Sequence, residues 1–198
     1  MKIVGVSCSP RKGKSTKVAL EICLQAVKET VPEAETMLME LSDMKINGCV
    51  ACGKCMKVLE CSQEDDFVKM IPILSDSALA GLVVATPVYF GSMTSQCKAF
   101  LDRCVMFRRN GFLLRDKVGG VIAVGGVRNG GQELTIQSVQ AAMLVQDMVV
   151  VSEGRPTSHY GATLWSGHPD GIEKDTFGLE TARSLGKRVG EVAAKMHQ

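Results

Sequence analysis

Lys2-Ile-Val-Gly-Val-Ser-Cys-Ser-Pro-Arg-Lys-Gly-Lys-Ser-Thr16 opens on a short apolar run and passes into a loop of hydroxyls and cations. The run reads as a buried strand at Lys2–Ser7. Val18, Ala19, Ile22, Cys23, Ala26 and Val27 then recur at helical spacing through Ser15–Thr30. Strand, loop and helix in immediate succession make half of a βαβ unit, and the same alternation continues along the chain. Further strands are expected at Thr36–Leu41, Gly81–Thr86, Lys117–Val124 and Met148–Val151. Helices are expected at Phe67–Leu74 (interrupted by Pro72), Thr94–Met106, Glu133–Gln146 and Phe177–Met196. In the last helix Ala182, Leu185, Val189, Val192 and Met196 fall on one stripe. Five strands alternating with helices argue for an α/β fold with a parallel sheet covered on both faces. Ligands of such folds sit beyond the C-terminal strand ends, where strand order reverses.

The rest of the composition narrows the function classes. The 198 residues carry a formal net charge of +2, so no broad basic field argues for nucleic acid or an anionic membrane. No run of about 18 apolar residues suggests a membrane span. Residues 1–198 are expected to form one domain, with no repeat or linker dividing them. A strand beginning at Lys2, with no signal peptide before it, points to a cytoplasmic protein.

Three loops are unusual, and they follow strands one, three and four. The first contains Gly13-Lys14-Ser15, but a nucleotide-triphosphate loop needs glycine five positions before Gly13, where Cys8 stands. What remains suits a phosphate monoester: Ser9, Ser15 and Thr16 hydroxyls at a helix N-terminus, with Arg11 adding a charge-assisted contact. The second, Ala85-Thr-Pro-Val-Tyr-Phe-Gly-Ser-Met-Thr-Ser95, offers flat surface at Tyr89 and Phe90 and close backbone approach at Gly91. The third, Gly125-Gly-Val-Arg-Asn-Gly-Gly-Gln132, is nearly free of side chains, so its backbone can pass beside the same planar ring.

Between strands two and three, Cys49, Cys52, Cys55 and Cys61 form a C-x2-C-x2-C-x5-C segment within an insertion at 46–62. In a reducing compartment disulfides are rare, so the readings are an iron–sulfur cluster, a zinc ion or no metal. Zinc sites usually take two cysteine pairs from separated turns. Three cysteines at successive x2 spacings wrap one small object from one side, and the fourth closes the same object. The other cysteines, Cys8, Cys23, Cys97 and Cys104, read as packing residues. His159, Tyr160, Trp165, His168 and Asp170 read as a surface loop before the last helix, and His197 as a frayed terminus.

In their order, the three loops resemble the NADPH-dependent FMN reductase family of the flavodoxin-like superfamily. The likeness continues through Lys98, Phe100, Asp102 and Arg103 and through the closing Gly178–Arg188 helix. The cysteine segment resembles that family's iron–sulfur flavoproteins. The resemblance implies a three-layer sandwich with a five-stranded parallel sheet in the order 2-1-3-4-5 and a cysteine-rich loop after strand two. It implies FMN on Ser9, Arg11, Lys14, Ser15 and Thr16 (phosphate loop), on Pro87, Val88, Tyr89, Phe90, Gly91 and Ser92, and on Gly125, Gly126, Asn129, Gly130 and Gly131. It implies a [4Fe–4S] cluster on Cys49, Cys52, Cys55 and Cys61, and a homodimer or homotetramer. The function implied is electron transfer from a ferredoxin-like donor through cluster and FMN to a small acceptor. Two other readings are an NAD(P)H-dependent FMN or quinone reductase with a zinc staple, and a non-catalytic flavoprotein that senses metal or redox state.

Overall fold

The opening strand is flanked on both sides. In a computed structural model describing residues 1–197, β1 (Lys2–Ser7) runs parallel to β2 (Glu35–Glu40) and to β3 (Leu79–Pro87), with Val4 opposite Met37 and Leu82. β4 (Val118–Gly125) pairs with β3, and β5 (Val149–Val150) completes the expected flavodoxin-like order 2-1-3-4-5. Both central strands are buried along their length, except at Pro87. Covered faces explain why β3 and β4 read as unbroken apolar runs rather than alternating ones.

Helices α1 (Ser15–Thr30) and α6 (Thr176–Met196) cover one face, burying Ile3, Leu20, Val83, Ile122 and Leu185 between them and the sheet. They lie close together at Gly186, where an added Cβ would stand 2.0 Å from the Cys23 carbonyl oxygen. The other face carries α2 (Ile71–Leu74), α3 (Ser95–Arg103), α4 (Val105–Arg109) and α5 (Gln132–Val145) over a core that includes Val4, Val84, Phe67, Phe100, Phe107 and Met143. Cys8, Cys23, Cys97 and Cys104 are all buried here or on the opposite face. Burial pushes the Cys23 thiol up to about 12, which keeps it protonated and inert.

The sheet departs from the sequence reading at its far edge. The strand expected at Met148–Val151 is only Val149–Val150, and a sixth strand, β6 (Ala162–Trp165), pairs with the second half of β4. The chain leaves β4 after Val151 and returns in register at Ala162, so the segment read as a surface loop contains a strand. Four residues are too few for a period to show. The helix expected at Thr94–Met106 breaks at Cys104, whose carbonyl accepts a hydrogen bond from Gln146 Nε2 (3.0 Å). Around Pro72 the expected helix is a 3-10 turn, Asp66–Met70, followed by the four-residue α2. On α6, Met196 is exposed and Val192 half-buried, while Ala193 carries the last buried turn.

Candidate functional site: two adjoining cofactor cradles

Because β1, β3 and β4 are parallel, the loops after them emerge at one edge of the sheet. Backbone contacts tie them together there. Cys8 N donates to Ala85 O (2.7 Å), Thr94 Oγ1 to Cys8 O (2.8 Å) and Val88 N to Val124 O (2.9 Å). In the first loop Ser9 is buried, and its Oγ accepts from Arg11 N (3.1 Å). Arg11 and Lys14 are exposed, Ser15 is half-buried and Thr16 is buried. α1 starts at Ser15 with no side-chain cap and no acidic residue in its first turn. Its first N–H groups are therefore left for an anion. Glu40, at the end of β2, accepts from Gly13 N (2.9 Å) and shapes this loop from outside; nothing in the local pattern marks that role.

The loop after β3 makes a tight turn. Tyr89 and Ser92 exchange backbone hydrogen bonds of 2.8 and 3.1 Å around Phe90 (φ +50°) and Gly91 (φ +73°). Positive φ at both central residues is the geometry of a type I′ hairpin. It costs a non-glycine residue on the order of 1 kcal/mol. The turn leaves the Phe90 ring fully exposed and the Tyr89 ring half-exposed. Gly91 touches the third loop, since a Cβ added at Gly131 (φ +95°) would stand 3.1 Å from Gly91 Cα. Gln132 braces that third loop: its amide accepts from Gly130 N (2.8 Å) and donates to Val127 O (2.6 Å). Asn129 and Gly131 also border a cleft on the far side of the loop, toward β6.

The cysteine segment forms the second cradle. Cys49, Cys52, Cys55 and Cys61 line one concavity of about 350 Å³, counting its open mouth, with Arg103, Val105, Met106 and Arg109 opposite. It shares no lining residue with the three loops. Among the described residues no three His, Cys, Asp or Glu side chains converge as they would on a single ion. All four cysteines border the same concavity. Two cations face them. Arg109 Nη1 lies 3.4 Å from Cys55 Sγ, and the buried Nε of Arg103 has no partner among the described residues. Arg103 lies beside Cys61, and an unpartnered donor there suits an acceptor-rich, negatively charged cluster. The Ser62 hydroxyl (2.9 Å), followed by the Lys54 N–H, lowers the Cys52 thiol below its ordinary value, toward the ligating thiolate.

Arg103 also anchors the segment, which the sequence reading did not anticipate. Its guanidinium donates to both Asp65 oxygens (2.8 and 3.0 Å) and to Asn47 O (3.0 Å), and it lies 4.6 Å over the Phe67 ring. Asp65 in turn accepts from Asn47 N (2.8 Å) and Phe67 N (3.2 Å). Burial pushes the Asp65 carboxyl up, but Arg103 and these N–H groups outweigh it and hold the carboxyl below its ordinary value. Asn110 Nδ2 pins Cys55 O from α4 (2.9 Å).

The family model of NADPH-dependent FMN reductases matches residues 1–163. An iron–sulfur flavoprotein of Methanocaldococcus jannaschii is 40% identical over 192 residues, 97% of each chain. The chain belongs to the iron–sulfur flavoproteins of the NADPH-dependent FMN reductase family. An iron–sulfur flavoprotein of Methanosarcina thermophila is similar at 38% identity, covering 97% of this chain and 95% of that one. Among solved structures, a flavone reductase superposes with a TM-score of 0.74 at 20% identity, covering all of this chain and 65% of that one. An NADH:FMN oxidoreductase superposes at 0.64, also at 20% identity, over 94% of this chain and 88% of that one. These two show a shared fold. Family membership makes the chain an oxidoreductase of FMN-linked chemistry. No described helix is long and apolar enough to cross a membrane.

Proposed function

We propose that the chain is an electron-transfer flavoprotein that joins a ferredoxin-like one-electron donor to a small acceptor. A [4Fe–4S] cluster is held by Cys49, Cys52, Cys55 and Cys61, and FMN by the loops after β1, β3 and β4. The observation that carries this reading is the single concavity bordered by all four cysteines, with Arg103 and Arg109 beside them. The relatives named iron–sulfur flavoproteins support both cofactors. When bound, FMN supplies two-electron and one-electron exchange and the cluster supplies one-electron exchange.

The residues bind and orient. Ser9, Ser15, Thr16 and the α1 N-terminus hold the phosphate, with Arg11 and Lys14 balancing its charge. The turn Pro87–Ser92 and the glycines of residues 125–131 hold the ring by backbone, and Tyr89 and Phe90 shield it from water. Arg109 balances the thiolate charge, while Arg103, already paired with Asp65, adds a donor. As the family resemblance implies, a homodimer or homotetramer brings the cluster near the flavin of a neighbouring subunit.

Three measurements bear on this. Arg11→Ala removes a charge-assisted bond to the phosphate and weakens FMN binding about tenfold or more, measured by fluorescence titration of apoprotein. Gly131→Ala forces a Cβ against Gly91 at an unfavourable φ, so the purified protein carries substoichiometric flavin. Anaerobically, reduced ferredoxin bleaches the flavin faster than NADPH does. Fast, ferredoxin-independent NADPH oxidation would instead support a plain flavin reductase.

A further inference from the structure

On the far side of the glycine-rich loop lies a cleft of about 1100 Å³, counting its open mouth, between that loop, β6 and the start of α6. None of the residues from 87 to 92 borders it. Arg128, His159, Trp165 and Phe177 form its walls, with Leu134 exposed beside them. Two buried carboxylates stand behind this surface, each holding one of its cations or imidazoles. Asp175, whose side chain is wholly buried, accepts from Arg128 Nη2 (2.7 Å), and also from Trp165 N (2.7 Å) and Gly178 N (3.4 Å). Glu153 Oε1, also wholly buried, accepts from Thr157 Oγ1 and lies 3.0 Å from His159 Nδ1, while its Oε2 has no partner among the described residues.

Burying a carboxylate is costly unless it is well paired. Here two of them fix groups at the wall of one cleft. The cation sits 5.2 Å over the Trp165 ring, and the indole N–H is bonded to Gly126 O (3.1 Å), which fixes that ring. Asp175 engages one guanidinium nitrogen of Arg128, and no other described residue accepts from the others. Arg128 is half-exposed, so those donors remain open to a ligand. Phe177 is half-exposed and offers an aromatic face. Glu133 is the one carboxylate of the wall among the described residues; it is exposed, and can turn to solvent.

From this juxtaposition we infer that the cleft is a second ligand site, adjoining the flavin cradle through Asn129 and Gly131, for a planar aromatic anion. The acid group engages Arg128 and the ring packs on Phe177. The inference rests on the proposed FMN site in one respect, that FMN leaves this face of Asn129 and Gly131 open. Trp165 is the single tryptophan of the chain, so its emission reports the site alone.

The test is calorimetric titration of flavin-loaded protein with naphthalene-2-sulfonate, with the uncharged naphthalene-2-methanol for comparison and Trp165 emission followed in parallel. The expected result is saturable binding of one sulfonate per chain with a matching change in Trp165 emission. Arg128→Gln should weaken the sulfonate at least tenfold while leaving the alcohol nearly unchanged. Phe177→Ala, at a half-exposed position that the fold tolerates, should weaken both ligands severalfold. Absence of saturable binding would overturn the inference. So would affinity unchanged in both variants, or release of one FMN per sulfonate bound, which would place the probe in the flavin cradle.

Discussion

Cys52→Ala abolishes the iron–sulfur absorbance of the anaerobically purified protein and leaves its flavin in place. Cys52 is exposed, and its Sγ is hydrogen-bonded to the Ser62 hydroxyl. Surface substitutions of this kind usually change stability by no more than about 0.5 kcal/mol. The fold and the three flavin loops therefore survive the change. A cluster that loses one of four thiolate ligands is left with an open iron site and is lost or degraded. Flavin content by release fluorescence, set against iron content, separates the two cradles. Retention of a full cluster would show that another residue supplies the ligand. Loss of flavin together with iron would show that the cradles are built as one unit.

Arg103→Met has a different effect, falling on stability before it falls on the cofactors. Arg103 and Asp65 are 2% and 1% exposed at their side chains and are joined by two hydrogen bonds. Removing one partner strands the other charge in the interior. Such losses cost about 3–5 kcal/mol, which for a chain of this size lowers Tm by on the order of 10 °C. A second change, Asp65→Leu, removes the stranded carboxylate and should recover part of that loss in the double variant, the remainder being the acceptor lost by the Asn47 and Phe67 N–H groups. The pH dependence follows from the depressed Asp65 carboxyl. Its contribution is fully present above the unfolded value of about 3.9 and is lost as pH falls through the lower folded value. The gap in Tm between wild type and Arg103→Met should thus be widest near neutrality and narrow as pH falls, first through the variant's raised Asp65 carboxyl and then through the depressed one of the wild type. A gap that widened in acid would contradict this role for the pair.

Much of the molecule was legible because its signals are local. β1 and α1 were read to the residue, since an unbroken apolar run and a helical stripe each carry their own period. The parallel order of strands followed from the alternation of those periods, and the cysteine spacing needed no tertiary knowledge. What escaped the sequence is held by distant contacts. β6 is a strand because β4 offers it an edge at Ile122–Gly125, not because Ala162–Trp165 alternates. The break at Cys104 depends on Gln146, which is 42 residues away. Arg103 drew notice only as part of a helix signature, yet it anchors the cysteine segment through Asp65, which is 38 residues earlier. Gln132 stood at the end of the quoted glycine loop, and its bracing role needed the positions of Val127 and Gly130. An acid in one loop and a cation in a helix carry no mutual sign until the fold brings them together.

The most direct measurement is iron, acid-labile sulfide and zinc analysis of protein purified without oxygen, with its absorption spectrum recorded on the same sample. About four irons and four sulfides per chain, with a broad iron–sulfur absorbance beneath a flavin band, is the expected result. One zinc per chain with no sulfide would contradict it, and would make the four thiols a structural staple on a plain flavin reductase.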